Sequence, residues 1–159
     1  MMCTDEKWMQ IAIQEAIKAR NAGEVPIGAV IIKDGILLSK GHNSPISSND
    51  PTAHAEIQAI RHAGKKLKNY RLSGTSLYVT LEPCSMCIGA IMHARVKRVI
   101  FGAYDNKIYL SHKSANIKNF QNFNHKIIVT NGILEDHCRQ LLDSFFTLKR
   151  QNKSSLMSK

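Results

Sequence analysis

The chain has 159 residues, 43% of them hydrophobic and 21% charged, enough for one domain with its own core and too apolar for wholesale disorder. No apolar run approaches the roughly 20 residues of a membrane span. The opening Met1-Met2-Cys3-Thr4-Asp5-Glu6 is acidic where a secretory signal is basic and then apolar, so a soluble, cytoplasmic protein is expected. Lys and Arg outnumber Asp and Glu by 22 to 12, giving a formal charge of +10. Between Ile57 and Leu134 twelve basic residues face only Glu82 and Asp105, which accounts for the whole excess. Charge this one-sided points to a polyanionic partner such as RNA. The basic residues do not line one face of an amphipathic helix, which argues against a membrane surface.

Asp5 and Glu6 suit the first turn of a helix in which Met9, Ile13, Ala16 and Ile17 recur at helical spacing, ending near Gly23. The apolar run Ile27 to Ile32, then Lys33-Asp34-Gly35 and a second run from Ile36, predicts a hairpin. Asn43 to Pro51 reads as loop. Ala53 to about Ala63 reads as a helix with Ile57 and Ile60 inward and Gly64 as its stop. Leu77 to Leu81 is a predicted strand, and Pro83 opens a helix through about Ala94. Val99 to Phe101 and Ile127 to Val129 are further strands. Leu134, Cys138, Leu141, Leu142, Phe145 and Leu148 form the apolar stripe of a last helix. Residues 1–152 read as one domain, and 153–159 as a polar, frayed tail. Strands interleaved with helices, opened by a hairpin, indicate a single α/β domain with a mixed sheet.

Two segments carry the chemistry: Pro51-Thr52-Ala53-His54-Ala55-Glu56 and Leu81-Glu82-Pro83-Cys84-Ser85-Met86-Cys87. Each lies at a predicted helix N-terminus. Cys84 and Cys87 are one turn apart, so both sulfurs can face one side, where helix amides favour thiolates. Two thiolates and an imidazole suit zinc and leave a fourth tetrahedral position open to water. His42, His93 or His137 could close that shell instead. Glu56, two residues beyond His54, is placed to accept a proton beside the open position and pass it on. Cys3 and Cys138 have no ligand spacing and read as small buried or tolerated thiols.

His-x-Glu with Pro-Cys-x-x-Cys is the known signature of the zinc nucleobase deaminases, and the chain resembles their tRNA-type adenosine deaminases. The resemblance extends through Val25-Pro26-Ile27-Gly28-Ala29-Val30, Gly41-His42-Asn43-Ser44-Pro45, Asn69-Tyr70-Arg71-Leu72 and Phe101-Gly102-Ala103. It continues to Asn124-His125, Gly132-Ile133-Leu134 and Phe145-Phe146. It implies a three-layer α/β/α cytidine-deaminase-like fold, a homodimer, and deamination of adenosine to inosine at the anticodon wobble position. His54, Cys84 and Cys87 would bind one zinc per subunit, with Glu56 as proton shuttle. Asn43, otherwise a turn residue, would hydrogen-bond the flipped purine, and Ala55 would offer it a backbone amide. Asp105, by sequence alone a loop aspartate, would lie near the target nucleotide.

On the last helix Phe145 falls within the apolar stripe, whereas Phe146 is displaced toward Arg150. An aromatic beside a cation suits single-stranded RNA, so Phe146 is open to RNA contact or peripheral packing, with Lys149 and Arg150 as phosphate contacts. The segment Ile108-Tyr109-Leu110-Ser111-His112-Lys113 departs from the family, which has a glycine-rich turn there. A guanine or nucleoside deaminase would share the zinc signature and is the alternative. A non-catalytic zinc module that binds RNA would have no use for Glu56.

Overall fold

The computed structural model describes residues 4–105 and 124–157. Cys3 and the glycine-free segment 108–113 lie outside the described residues. The described elements are α1 (Thr4–Asn21), β1 (Gly28–Lys33), β2 (Ile36–His42), α2 (Pro45–Ser48) and α3 (Ala55–Leu67). They continue with β3 (Thr75–Leu81), α4 (Ser85–His93), β4 (Arg98–Ala103), β5 (Ile128–Thr130) and α5 (Glu135–Met157). The strands form one mixed sheet in the order β2-β1-β3-β4-β5. β1 runs antiparallel to β2 and β3, while β3, β4 and β5 are parallel. The hairpin turns through Asp34 and Gly35, both at positive φ, as an Asp-Gly pair predicts.

Side chains alternate across the sheet to build two cores. Ala29, Ile31, Leu77, Val79, Val99 and Phe101 pack on one face with Ala55, Ala59 and Ala63 of α3 and Ile91 of α4. Val30, Ile32, Tyr78 and Ile100 meet α1 through Met9, Ala12 and Ile13, and α5 through Cys138 and Leu141, on the other. A sheet covered on both faces explains why its strands read as continuous apolar runs. The architecture is therefore the expected three-layer α/β/α. No helix among the described residues is long and apolar enough to cross a membrane.

Four expectations are corrected. The 43–51 loop contains the helical turn α2, which starts at Pro45 and ends at Asn49 in the left-handed region. Pro83 precedes α4, whose N-cap is Cys84. Helix α3 runs past Gly64 to Leu67, because Lys68 takes the left-handed position. There the Asn69 amide donates to the Gly64 carbonyl (3.1 Å) and the Lys68 amide to that of Lys65 (3.3 Å), a Schellman ending. At the other end of the chain, α5 continues through Met157. Its last turns are exposed, and so is Leu148, because nothing described packs there. The Ser154 and Ser155 hydroxyls donate to the Gln151 carbonyl within those turns.

Arg98, one of the twelve basic residues between Ile57 and Leu134, is committed to a bond within the fold. It grips Asp5 with two nitrogens (2.9 and 2.7 Å) and also reaches Thr130, while Tyr78 donates to Asp5 at 2.8 Å. These bonds tie α1 to three strands. The Arg98 guanidinium holds the Asp5 carboxyl below its ordinary value of 3.8.

Candidate metal centre and active site

The site is built where two helices begin. His54 is the N-cap of α3 and Cys84 the N-cap of α4, both in extended backbone, and neither side chain caps its own helix. Their side chains point at each other instead. His54 Nδ1 lies 3.7 Å from Cys84 Sγ and 3.5 Å from Cys87 Sγ. Zinc–ligand lengths of about 2.0–2.1 Å to nitrogen and 2.3 Å to sulfur place tetrahedral N and S ligands about 3.6 Å apart. The donor set thus matches zinc in both chemistry and spacing. Among the described residues these three are the cluster whose ligand atoms converge, all within 4.8 Å of one another. The expected alternatives do not close it: His42 faces Glu15 at 3.4 Å, and His93 lies at the far end of α4 beside Tyr70 and Arg95. His137 is exposed on α5.

Charge in the cluster is already sorted. The Cys84 thiol is pulled down to about 4, first by a hydrogen bond from Cys87 and then by His54. Cys87, more deeply buried, is pushed up by its hydrogen bond to Cys84 and by burial. His54 is raised, chiefly by its hydrogen bond to Cys84. Glu56, in the first turn of α3 and 4% exposed, is pushed up to about 7 by burial, with the Cys84 charge adding to the effect. A carboxylate titrating there can both take and return a proton near neutral pH.

Asn43 is buried at the end of β2, and its Oδ1 accepts from the Ala55 amide at 3.0 Å. Both residues were expected at the base, and here they are bonded to each other. The reason is that His54 faces the metal cluster, so α3 takes its cap from Asn43 across the fold. Gly41 makes this approach possible: a Cβ there would strike the Ala55 carbonyl and the Ala59 amide. Glu24, 2% exposed, accepts from the Ser47 amide at 2.7 Å and so anchors α2 beside Asn43. Sequence reading missed both roles. A carboxylate four residues before β1 and a glycine inside β2 were the available signals.

Asp105 donates its amide to Glu82 Oε2 at 3.2 Å, which brings it beside the segment carrying Cys84. Burial raises the Glu82 carboxyl. Phe146, Lys149 and Arg150 lie apart from this assembly, on the later turns of α5. Phe145 is buried and Phe146 is 39% exposed, as the stripe predicted, with their rings edge-on at 5.4 Å. Both cations are exposed: Lys149 sits over the Phe145 ring at 5.3 Å, and Arg150 donates to the Thr147 hydroxyl at 3.2 Å. Cys138 is buried against Gly102, whose missing Cβ leaves room for its sulfur.

An α/β/α domain presenting a His-Cys-Cys cluster with a buried glutamate has the parts a zinc-dependent deaminase needs. Residues 2–103 match the cytidine and deoxycytidylate deaminase zinc-binding region. The chain belongs to that family. The tRNA-specific adenosine deaminase of Haemophilus influenzae is 45% identical over 150 residues, covering 94% of this chain and 87% of that one. A solved tRNA:A34 deaminase, from work on A-to-I editing at the wobble position, superposes with a TM-score of 0.80. It is 40% identical and covers 86% of this chain and 99% of its own. The guanine deaminase of Bacillus subtilis is 43% identical over 69% of this chain and 70% of its own, with a TM-score of 0.62.

Proposed function

We infer that this chain hydrolyses adenosine to inosine at the wobble position of tRNA anticodons, holding one zinc per subunit through His54, Cys84 and Cys87. The observation that carries the reading is the convergence of these ligands from two helix starts with Glu56 buried beside them. Zinc bound there supplies the Lewis acidity that makes water a nucleophile at neutral pH. In the reaction the water oxygen bonds to C6 of the purine and the C6–N bond breaks, releasing ammonia. Glu56 takes a proton from the water on its carboxylate and returns it to the departing nitrogen. Asn43, its Oδ1 taken by the Ala55 amide, meets the base as a donor through Nδ2, which suits a purine ring nitrogen.

Affinity for RNA has to come from outside the pocket. A groove of about 430 Å³ lined by Tyr70, Arg71, Met92, His93, Arg95, Asn124 and His125 carries no carboxylate. It supports the polyanion reading, as do the exposed Lys149 and Arg150 beside Phe146. Asp105 is assigned to the neighbourhood of the target nucleotide. A cytoplasmic homodimer completes the proposal. Of the apolar residues of α4, Ile88, Ile91 and Met92 are buried within the chain and Met86 stays exposed, open to a partner subunit.

Guanine deamination is the second reading, favoured by the Bacillus subtilis guanine deaminase and disfavoured by the basic groove. Incubation with an anticodon stem-loop and with free guanine separates the two. Inosine in the stem-loop supports the proposal. Rapid ammonia release from guanine with no inosine in any stem-loop refutes it.

A further inference from the structure

Glu82 stands between β3 and the Pro83-Cys84 turn and is 8% exposed. It grips the outgoing end of β4 twice. Its amide donates to the Ala103 carbonyl at 2.9 Å, and its carboxylate Oε2 accepts from the Asp105 amide at 3.2 Å. Arg139 of α5 reaches the residue between these two, donating from Nη2 to the Tyr104 carbonyl at 3.1 Å. Glu135, one turn earlier, steadies that guanidinium at 3.5 Å. The Tyr104 ring meets Phe101 edge-on at 5.2 Å, which fixes the side chain as well as the backbone.

Burying a carboxylate is costly unless its hydrogen bonds are made. Here a bond goes to a main-chain amide, so what Glu82 fixes is the path of the backbone. One acid from the metal-bearing segment and one base from the helix that carries Phe146, Lys149 and Arg150 therefore hold a single tripeptide, 103–105. We propose that Glu82 and Arg139 are positioning residues that set Asp105 against the Cys84 turn and so hold the RNA loop in register with the metal centre. The proposal rests on the RNA reading above. Neither residue is assigned any part in moving the proton, so substrate affinity should respond to them far more than turnover.

Steady-state deamination of an anticodon stem-loop, with zinc measured on the same samples, tests this. Wild type must form inosine; its failure to do so would overturn the proposal together with the RNA reading beneath it. With that activity in hand, Glu82→Ala and Arg139→Ala should each raise KM about tenfold, the scale of one hydrogen bond to a charged group. The kcat should stay within about threefold and zinc should stay stoichiometric. Glu82→Gln keeps an acceptor for the Asp105 amide and should recover most of the loss. Three results would overturn the proposal while leaving the RNA reading intact: unchanged KM in both alanine variants, a fall in kcat at constant KM, or a Glu82→Gln no better than Glu82→Ala. If Glu82→Ala does not fold, Arg139→Ala and Glu82→Gln decide the question by the same readouts.

Discussion

The starts of α3 and α4 solve one problem in two ways. Each places a metal ligand at the N-cap, the position where a helix normally uses a short polar side chain to satisfy its first amides. At α3 the missing cap comes from Asn43, which accepts from the Ala55 amide and is brought in by the close β2–α3 approach at Gly41. At α4 the capping position is held by a sulfur pulled toward the thiolate, and negative charge is what a helix N-terminus favours. The comparison teaches that the histidine side of the centre depends on distant chain, whereas the cysteine side is largely local.

The sharpest break of this comparison is loss of a ligand. His54→Ala, Cys84→Ala and Cys87→Ala should each lose stoichiometric metal and lower deamination by on the order of 10³-fold or more, read by metal analysis and a single-turnover assay. Next comes the space on which the α3 side depends. Gly41→Ala should destabilise the fold by about 1–3 kcal/mol, because the struck atoms are backbone, and chemical denaturation will show it. Asn43→Ala orphans the Ala55 amide and should cost about 1–2 kcal/mol in the same experiment, with a raised KM for RNA. Metal should be retained in that variant, since Asn43 supports His54 without being a ligand.

The smallest expected effect lies remote from both helix starts. The Asp5 carboxyl is lowered by Arg98, so its contribution is fully present above pH 3.8 and fades as pH falls through the lowered folded value. Asp5→Asn should cost about 1–2 kcal/mol near neutrality and flatten the acid limb of a stability–pH curve. Metal content should be unaffected, which separates α1 docking from the centre.

Much of the centre was legible because its parts are local. Cys84 and Cys87 are one turn apart and Glu56 is two residues from His54, so spacing alone brings each pair together. The hairpin was legible through Asp34-Gly35, and the two-faced sheet through its unbroken apolar strands. What sequence could not supply was long-range. That Asn43 spends its Oδ1 on Ala55, that Glu82 holds Asp105, and that Arg98 is bound to Asp5 all require residues brought together by the sheet. Helix ends were misjudged for a related reason. Gly64 looked like a stop, but Lys68 could take the left-handed position because the carbonyls of Gly64 and Lys65 found donors there.

The division of labour at the centre is most directly tested by Glu56→Gln, assayed for inosine in an anticodon stem-loop with zinc measured on the same protein. The side chain keeps its shape and loses its ability to carry the proton. Wild type should form inosine, and Glu56→Gln should hold the same zinc while losing on the order of 10²- to 10⁴-fold in rate. A variant that kept most of its activity, or that lost its metal, would contradict the assignment of Glu56 as the proton carrier beside a His54-Cys84-Cys87 zinc.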